Sequence, residues 1–534
     1  MFPSLFPIVL VRLSARPGDV PAGCASVAPP RLRRAALAAL LALVPAAFVA
    51  PGASAQSTSL RARLDTIFDR PATANAFWGV SVADAATGEV LYRRNDARSF
   101  TPASNAKLYT TAAALDLFGT EYRFTTRVYA DGPVEDGTLR GSLVVRGGGD
   151  PTLGGAYFAD KDKTDRLAPF RAFADSLRAR GVTRIEGDVI GDDDAFDDRA
   201  LGDGWAWDDL NYYYSTELSG LNAYDNCVDV TITGTTPGQP GRVTWEPMQT
   251  SYVGFRNQTL TRGAGTGVRE RYDRAMGSND YVLGSRVGSD TRDLECLAVV
   301  NPTRFAASLV RDVLAASGIP VTGQPRDADE ASTPPDYARM TPVATWRSEP
   351  LGRIAEAVNK ESVNLYADLL LKLVGTLPGG PAATEDAPMG SHARGSAVAR
   401  QRAWGPMGVD TAHVALVDGS GLSRMDLITP ASTTALLRAM HRHRDPAVRR
   451  AFRESLPIGG LDGTLKNRFR DGDARANVRA KTGSLGGVSG LSGYVETRGG
   501  RVLVFSILCN NYTSGSATAR SAQDAAVNVL AGLP

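Results

Sequence analysis

The alternation of hydrophobic and polar residues changes twice along the chain, and each change marks a different kind of structure. Beyond residue 56, an amphipathic pattern predicts a helix over 57–69, and alternating apolar positions predict a β-hairpin over 78–92. An alanine-rich run then predicts a helix from Ser104 to about Phe118, where Gly119 ends it. The first part of the chain therefore supplies a hairpin followed directly by a helix.

The middle of the chain, from about residue 125 to 300, is rich in glycine, aspartate and short alternating apolar runs. This texture predicts β-strands joined by tight turns, with helices near 168–180 and over 304–317. A polar segment rich in proline and aspartate, residues 324–337, is interpreted as a linker. The middle part is thus expected to be a β-rich unit that ends at this linker.

Helical patterns return at 349–376 and continue to residue 469. Strands are then predicted over 478–485, 491–495 and 502–508, followed by a last helix over 518–531. The front hairpin and these strands can form one antiparallel sheet with helices on its faces.

These patterns predict an α+β fold in which one domain is interrupted by another. The discontinuous domain comprises residues 56–124 and 338–534. The β-rich insertion comprises residues 125–337, and we expect it to contain two subdomains.

Residues 1–55 are interpreted as a signal peptide and leader. Arg31-Leu-Arg-Arg34 is a positive segment, residues 35–50 are apolar, and Ala53-Ser-Ala55 fits a small-residue cleavage site. An uncleaved anchor is the alternative, although the apolar run is short for a membrane span. We therefore expect an exported protein, periplasmic or secreted, and leave peripheral membrane association open.

Export makes disulfides chemically possible. Cys227 and Cys296 both lie in β-like runs of the middle region and could pair, while buried free thiols remain an equal alternative. Cys509 lies in an apolar run and is expected to be a core residue.

Composition and charge remove several function classes. The formal net charge of +2 gives no reason to expect a nucleic-acid partner. The chain has only four histidines, in no metal-binding spacing, and no G-x-S-x-G motif, so no metal, no cofactor and no local Ser-His-Asp site is predicted. Lysine is scarce, because only seven of the 59 basic residues are lysines. A lysine that falls in a motif is therefore less readily explained by chance.

Ser104 and Lys107 form an S-x-x-K motif at the start of the predicted helix. Residues three apart share a helix face, so the amine can reach the hydroxyl and act as its base. The helix N-terminus also favours developing negative charge. A lysine with its ordinary pKa is protonated at neutral pH, so burial or a second cation must lower that pKa. Taken alone, the motif is better explained as a helix cap followed by a surface lysine.

Two further motifs change this balance. Ser362 and Asn364 form S-x-N, and Lys481-Thr-Gly483, followed by Ser484, lies on a predicted strand. The three motifs in this order resemble the penicillin-binding superfamily of serine acyltransferases.

The gap from Ser104 to Ser362 is about twice the gap from Ser362 to Lys481 and exceeds what a compact member of that superfamily needs. The long insertion resembles the penicillin-binding protein 4 family, the D-alanyl-D-alanine carboxypeptidase/endopeptidases of peptidase family S13. Phrases such as GGGDPTL at 147–153 and AKTGSLGGVSGLSGYV at 480–495 carry the same resemblance.

The resemblance implies a penicillin-binding/β-lactamase-like transpeptidase domain and a role for each motif residue. Ser104 would attack the bond between two D-alanines of a peptidoglycan stem peptide, giving an acyl-enzyme, with Lys107 as base. Ser362 would relay the proton to the leaving amine, and Asn364 would hold Lys107 or the substrate amide. β-Lactams would be covalent inhibitors.

The third motif would bind the substrate. Lys481 would be the second cation that lowers the pKa of Lys107, and it would attract the terminal carboxylate, to which Thr482 donates. Gly483 belongs to the same motif. The backbone N–H groups of Ser104 and Ser484 would form an oxyanion hole. Serine at 484 replaces a threonine common in such motifs, a change that a backbone donor tolerates.

In this family an acidic residue of the insertion can meet the free amine of a diaminopimelate side chain. Asp192 is our candidate; Asp193 and Asp194 compete with it, and a solvated acidic turn is the plain alternative. A serine β-lactamase and a non-catalytic cell-wall-binding protein remain alternative functions. The oligomeric state and the balance between carboxypeptidase and endopeptidase activity stay open.

Overall fold

A computed structural model describes residues 52–534 of the chain. The predicted leader lies outside these residues, except for its last four positions, which begin the first helix. Within the described part, no helix is both long enough and apolar enough to cross a membrane.

The helices of the described residues are unevenly spaced, and five consecutive helices between residues 351 and 455 have no strand between them. In order, the helices are α1 (Gly52–Phe68), α2 (Ala106–Phe118), α3 (Ala156–Asp162), α4 (Ala168–Arg178), α5 (Pro302–Ala316), α6 (Leu351–Lys360), α7 (Asn364–Gly375), α8 (His392–Ala399), α9 (Pro430–His441), α10 (Pro446–Ser455) and α11 (Ser516–Ala531).

The strands are short in the middle of the chain and longer at its ends. In order, they are β1 (Phe77–Asp84), β2 (Val90–Arg94), β3 (Thr125–Asp131), β4 (Val134–Glu135), β5 (Thr138–Leu139), β6 (Ser142–Arg146), β7 (Arg184–Ile185), β8 (Val189–Asp192), β9 (Cys227–Thr233), β10 (Arg242–Glu246), β11 (Gly254–Asn257), β12 (Leu260–Arg262), β13 (Val268–Arg269), β14 (Tyr272–Arg274), β15 (Asp280–Leu283), β16 (Arg286–Gly288), β17 (Arg292–Ala298), β18 (Pro325–Asp327), β19 (Thr341–Arg347), β20 (Val478–Leu485), β21 (Val488–Glu496) and β22 (Val502–Asn510).

The front hairpin and the last three strands form one antiparallel sheet of order β2-β1-β22-β21-β20, which confirms the predicted pairing. Strand β21 begins at Val488, earlier than its apolar pattern indicated, because Leu485 pairs with Val488. Only Gly486 and Gly487 remain for the turn, and Gly487 adopts a positive φ of 72°. Glycine allows this tight hairpin because it lacks a Cβ atom.

The inserted segment is β-rich, as predicted, with a five-stranded sheet of order β18-β8-β6-β3-β19 and several three-stranded sheets. The predicted boundary at residue 337 is wrong, because β19 pairs with β3 and extends this sheet to Arg347. The predicted linker also contains β18, which pairs with β8. Strands β18 and β19 lie at the two edges of the sheet, and their polar composition gives no strand pattern in the sequence.

One hydrophobic cluster runs through the sheets of the insertion from Val128 to Ala344, and two others pack on the faces of the terminal sheet. One of these two also includes Phe158, Phe196 and Leu218 of the insertion, so the insertion packs against the terminal domain. The cluster of the insertion contains residues of the five-stranded sheet and of the three-stranded sheets. The division of the insertion into two subdomains therefore stays a prediction.

Of the two alternatives left open for Cys227 and Cys296, the structure has the disulfide, between β9 and β17. Cys509 is buried in β22, as expected.

Candidate active site

Ser104 lies in a single 3₁₀ turn, Ala103–Asn105, that leads directly into α2. Ala103 has a left-handed φ of 46°, an uncommon conformation for a residue with a side chain. A Cβ atom at Gly421 would lie 1.9 Å from the Ala103 carbonyl oxygen, so only glycine lets the neighbouring loop approach this turn. The turn leaves Ser104 partly exposed in a cleft.

Lys107 is fully buried, one turn further along the helix. Its Nζ atom donates to Ser104 Oγ at 3.0 Å, to Asn364 Oδ1 at 2.6 Å and to the Ser420 carbonyl at 2.6 Å. Burial lowers the pKa of Lys107 to about 8, although the charges of three nearby aspartates oppose this shift. An amine with this pKa is partly neutral near pH 7 and can accept a proton from Ser104.

The three aspartates that face Lys107 were not singled out from the sequence as site residues. They are Asp368, Asp418 and Asp426, all buried. Asp418 accepts from the backbone N–H groups of Ser420 and Gly421 at 3.1 and 2.6 Å, and from Trp205 Nε1 at 3.0 Å. Its carboxylate thus shapes the loop whose Ser420 carbonyl holds Lys107. The phrase DGSGLSR at 418–424 was the sequence signal for this loop.

Ser362 and Lys481 form a second hydroxyl–amine pair. Lys481 is fully buried, and its Nζ atom donates to Ser362 Oγ at 2.8 Å. Burial, and then the charge of Lys107, lower the pKa of Lys481 well below its usual range. The second lysine that the sequence predicted is therefore present, but Lys107 lowers the pKa of Lys481 and not the reverse, because burial is what lowers the pKa of Lys107. Ser362 adopts a left-handed φ of 64°, a strained backbone conformation that often marks functional sites.

Asn364 joins the site to the insertion. Its Oδ1 atom accepts from Lys107, and its Nδ2 atom donates to the Tyr214 carbonyl at 2.6 Å. Because both ends of the amide are occupied, the geometry favours the role of holding Lys107 over that of binding a substrate amide.

Strand β20 brings the third motif beside the turn that carries Ser104. A Cβ atom at Gly483 would lie 2.7 Å from the Pro102 carbonyl oxygen and 3.1 Å from the Ser104 nitrogen, so glycine permits this close approach. The Thr482 hydroxyl donates to Thr464 Oγ1 at 2.9 Å, and Ser484 is exposed. The three sequence motifs thus come together from the turn before α2, from α2 itself, from the start of α7 and from β20.

These residues line a cleft of about 720 Å³. The motif residues in its wall are Ser104, Ser362, Asn364, Thr482, Gly483 and Ser484, and residues of the insertion and of the 421–424 loop complete it, among them Asp208, Asp209, Tyr213, Tyr214 and Arg424.

Asp192 is not among the residues that line the cleft. Its carboxylate is buried at the end of β8 and accepts a hydrogen bond from the Tyr337 hydroxyl. The prediction that Asp192 meets a substrate amine is therefore wrong in this geometry. The acidic residues of the insertion that reach the cleft are Asp208 and Asp209.

Comparison with known proteins finds similarity along most of the chain. Residues 60–533 match the model of the D-Ala-D-Ala carboxypeptidase 3 (S13) family. A D-alanyl-D-alanine carboxypeptidase from Actinomadura sp. (strain R39) is 34% identical over 504 residues, covering 91% of this chain and 88% of the relative. The D-alanyl-D-alanine carboxypeptidase DacB of Haemophilus influenzae is 26% identical over 438 residues, covering 80% of this chain and 84% of the relative.

The fold is also shared with a solved structure. The crystal structure of penicillin binding protein 4 (dacB) from Haemophilus influenzae matches with a TM-score of 0.73 at 23% sequence identity, covering 87% of this chain and 97% of that one.

Proposed function

Because this chain belongs to the D-Ala-D-Ala carboxypeptidase 3 (S13) family and is a serine-type carboxypeptidase, we propose that Ser104 is its nucleophile and Lys107 the base. The observation that carries this assignment is the buried Lys107 amine, 3.0 Å from Ser104 Oγ. Three acceptors surround this amine. When it is neutral it keeps one lone pair for the Ser104 proton.

The first step forms an acyl-enzyme. The Ser104 proton passes to Lys107 as Oγ bonds to the carbonyl carbon of the penultimate D-alanine. The backbone N–H groups of Ser104 and Ser484 stabilise the oxyanion. This role is supported by the close approach of β20 at Gly483 to the Ser104 nitrogen.

The leaving amine then needs a proton. Ser362, held by Lys481 at 2.8 Å, gives its proton to the amine as the C–N bond breaks and D-alanine departs, and it regains a proton from Lys107, which returns to its neutral form. Water next attacks the ester carbonyl and gives its proton to Lys107. The bond to Oγ then breaks, and Lys107 passes this proton to Ser104. The substrate carboxylate is attracted by Lys481 and accepts a hydrogen bond from Thr482.

Asp208 is our candidate for binding the free amine of the residue before the D-alanines. Asp209 accepts from the Tyr214 hydroxyl at 3.0 Å, so its carboxylate is already engaged. Asp208 is exposed in the cleft and, among residues 52–534, pairs with no cation and accepts no side-chain hydrogen bond. Arg424, in the same wall, offers a positive group for a side-chain carboxylate. A zwitterionic side chain such as diaminopimelate suits this pair.

The natural substrate would be peptidoglycan stem peptide, with β-lactams as covalent inhibitors and an exported location. A solved relative complexed with a β-lactam shares the fold at a TM-score of 0.66 and 22% identity. Acylation by a β-lactam uses the same nucleophile and base as acylation by the peptide.

Labelling with a fluorescent penicillin tests the assignment of Ser104. We expect the wild type and a matched Ser332→Ala control, an exposed serine outside the cleft, to be labelled equally. Ser104→Ala should not be labelled, and an equally labelled Ser104→Ala variant would exclude Ser104 as nucleophile.

Mass spectrometry of purified peptidoglycan fragments separates the two peptidase activities. Loss of a terminal D-alanine identifies carboxypeptidase activity, and conversion of cross-linked dimers to monomers identifies endopeptidase activity. A nitrocefin assay distinguishes either from a fast β-lactamase.

A further inference from the structure

A second cavity of about 710 Å³ shares no lining residue with the active-site cleft. It lies between α9 and α10 on one side and β20 and β21 on the other. We refer to it as the arginine pocket; its lining residues are His441, Pro446, Arg449, Arg450, Arg453, Glu454, Arg479 and Tyr494.

Two elements bring the positive charges together. Helix α10 buries Val448 and Phe452 on one face and directs Arg449, Arg450 and Arg453 to the pocket. Arg479 of β20 stands directly opposite Tyr494 of β21 in the sheet register. The Tyr494 hydroxyl donates to the Leu437 carbonyl at 2.7 Å, which fixes the buried side of the pocket.

The four guanidinium groups lack acidic partners. Within residues 52–534, none of them lies within 4.0 Å of a carboxylate oxygen, whereas Arg468, for example, lies 2.6 Å from Asp524. Their only side-chain hydrogen bond in the same part of the chain runs from Arg449 to the His443 carbonyl at 3.1 Å. Glu454 is the single acidic residue of the lining.

This concentration of positive charge is unfavourable without a counter-ion, because like charges on one surface repel. The positive charge also affects His441: burial, and then the charges of Arg453, Arg449 and Arg442, lower the pKa of this imidazole. Arg453 and Arg479 are half-buried, while Arg449 and Arg450 are exposed. The pocket therefore offers two inner and two outer cations to an anion.

We propose that the arginine pocket binds a phosphate group. The planar guanidinium group pairs with phosphate through two parallel hydrogen bonds, and a phosphate has enough oxygens to engage several guanidinium groups at once. A phosphate monoester or inorganic phosphate also carries more negative charge than a single carboxylate. The phosphate could be free in solution or part of an anionic lipid headgroup, and the experiment below separates these sources.

The test compares two double variants that remove equal charge. Arg449→Gln/Arg453→Gln removes two cations of the pocket, and Arg442→Gln/Arg444→Gln removes two exposed neighbours that do not line it. Arg479 is left unchanged because it lies two residues before Lys481 in β20. Fluorescent-penicillin labelling should be the same in all three proteins and reports that each is folded.

Titration calorimetry with inorganic phosphate and co-sedimentation with phosphatidylglycerol vesicles are the two binding measurements. We expect the wild type and the Arg442/Arg444 control to bind at least one probe, and the Arg449/Arg453 variant to bind it roughly tenfold more weakly or less. Binding of both probes, with phosphate displacing the vesicles, indicates a site for a free phosphate group. Binding of vesicles alone indicates a lipid headgroup, with phosphatidylcholine vesicles as the uncharged comparison.

Two results would overturn the proposal. One is no binding of either probe by the wild type. The other is an equal loss in both double variants, which would show that overall charge, not the pocket, attracts the anion. Should the Arg449/Arg453 variant fail to label, Arg449→Gln/Arg450→Gln, which changes only exposed side chains, takes its place with the same criteria.

Discussion

The Lys107 amine lies 3.0 Å from the Ser104 hydroxyl in a fully buried position. Asn364 and the Ser420 carbonyl hold the same amine at 2.6 Å each. Burial lowers the pKa of this lysine, and its acceptors hold the amine beside Ser104, as the proposed role of a base requires.

Replacing Lys107 should abolish rapid acylation. Both Lys107→Ala and Lys107→Arg remove the neutral amine, because arginine stays protonated, so we expect a fall of about 10²–10⁴-fold in the labelling rate by fluorescent penicillin. Lys466→Ala, at an exposed lysine, is the matched control. Normal acylation of Lys107→Ala would place the base elsewhere.

The rate of acylation should rise with pH. Because the pKa of Lys107 is lowered to about 8, the neutral base is scarce below that pH and abundant above it. We expect the labelling rate to fall by about tenfold per pH unit well below pH 8 and to level off above it. A rate that does not change between pH 6 and 9 would contradict this assignment.

Asp418 is expected to act as a positioning residue through Lys107. Its negative charge raises the pKa of Lys107, so Asp418→Asn should move the midpoint of the pH–rate profile below that of the wild type. The variant also disturbs the backbone hydrogen bonds of the Ser420 loop, and a loss of about 1–3 kcal/mol in the free energy of unfolding should accompany the shift. Asp471→Asn, at an exposed aspartate that contacts no partner among the described residues, should change neither quantity. If Asp418→Asn lowers the free energy of unfolding but leaves the midpoint of the pH–rate profile unchanged, the role of Asp418 is purely structural.

Gly483→Ala should separate β20 from the turn that carries Ser104. The new methyl group would lie 2.7 Å from the Pro102 carbonyl oxygen, a distance that forces either backbone to move. We expect labelling to slow by at least about tenfold, as happens when small displacements misalign reacting groups. Gly263→Ala, where no atom lies within 4 Å of the added carbon, should label normally. Equal labelling of both variants would argue against the tight approach.

Asp208→Asn should affect peptide substrates more than penicillin. We expect slower release of D-alanine from peptides with a free side-chain amine, an unchanged rate with an acetylated amine, and normal labelling. Asp192→Asn, outside the cleft, should not alter this preference, although it is expected to reduce stability because Asp192 accepts from Tyr337. Slower release of D-alanine by Asp192→Asn, with an unchanged rate in Asp208→Asn, would instead identify Asp192 as the substrate contact.

Much of the site could be predicted from the sequence because its chemistry is encoded in short motifs on regular elements. Ser104 and Lys107 share one turn, and Lys481 to Ser484 share one strand. Strand periodicity likewise identified the terminal sheet and the bounds of β20.

The remaining features depend on contacts between distant segments. No local pattern indicates that the Tyr214 carbonyl accepts from Asn364, or that Trp205 donates to Asp418. The run Asp192–Asp194 and the pair Asp208–Asp209 look alike in composition, and only the path of the insertion places the second pair in the cleft. The pairing of Cys227 with Cys296 depends on β9 lying beside β17.

Peptide mapping by mass spectrometry after incubation with benzylpenicillin tests the central claim most directly. We predict a single covalent adduct on the peptide that contains Ser104, formed by the wild type and absent from Lys107→Ala in the same time. An adduct on Ser362, or on any residue other than Ser104, would contradict the account.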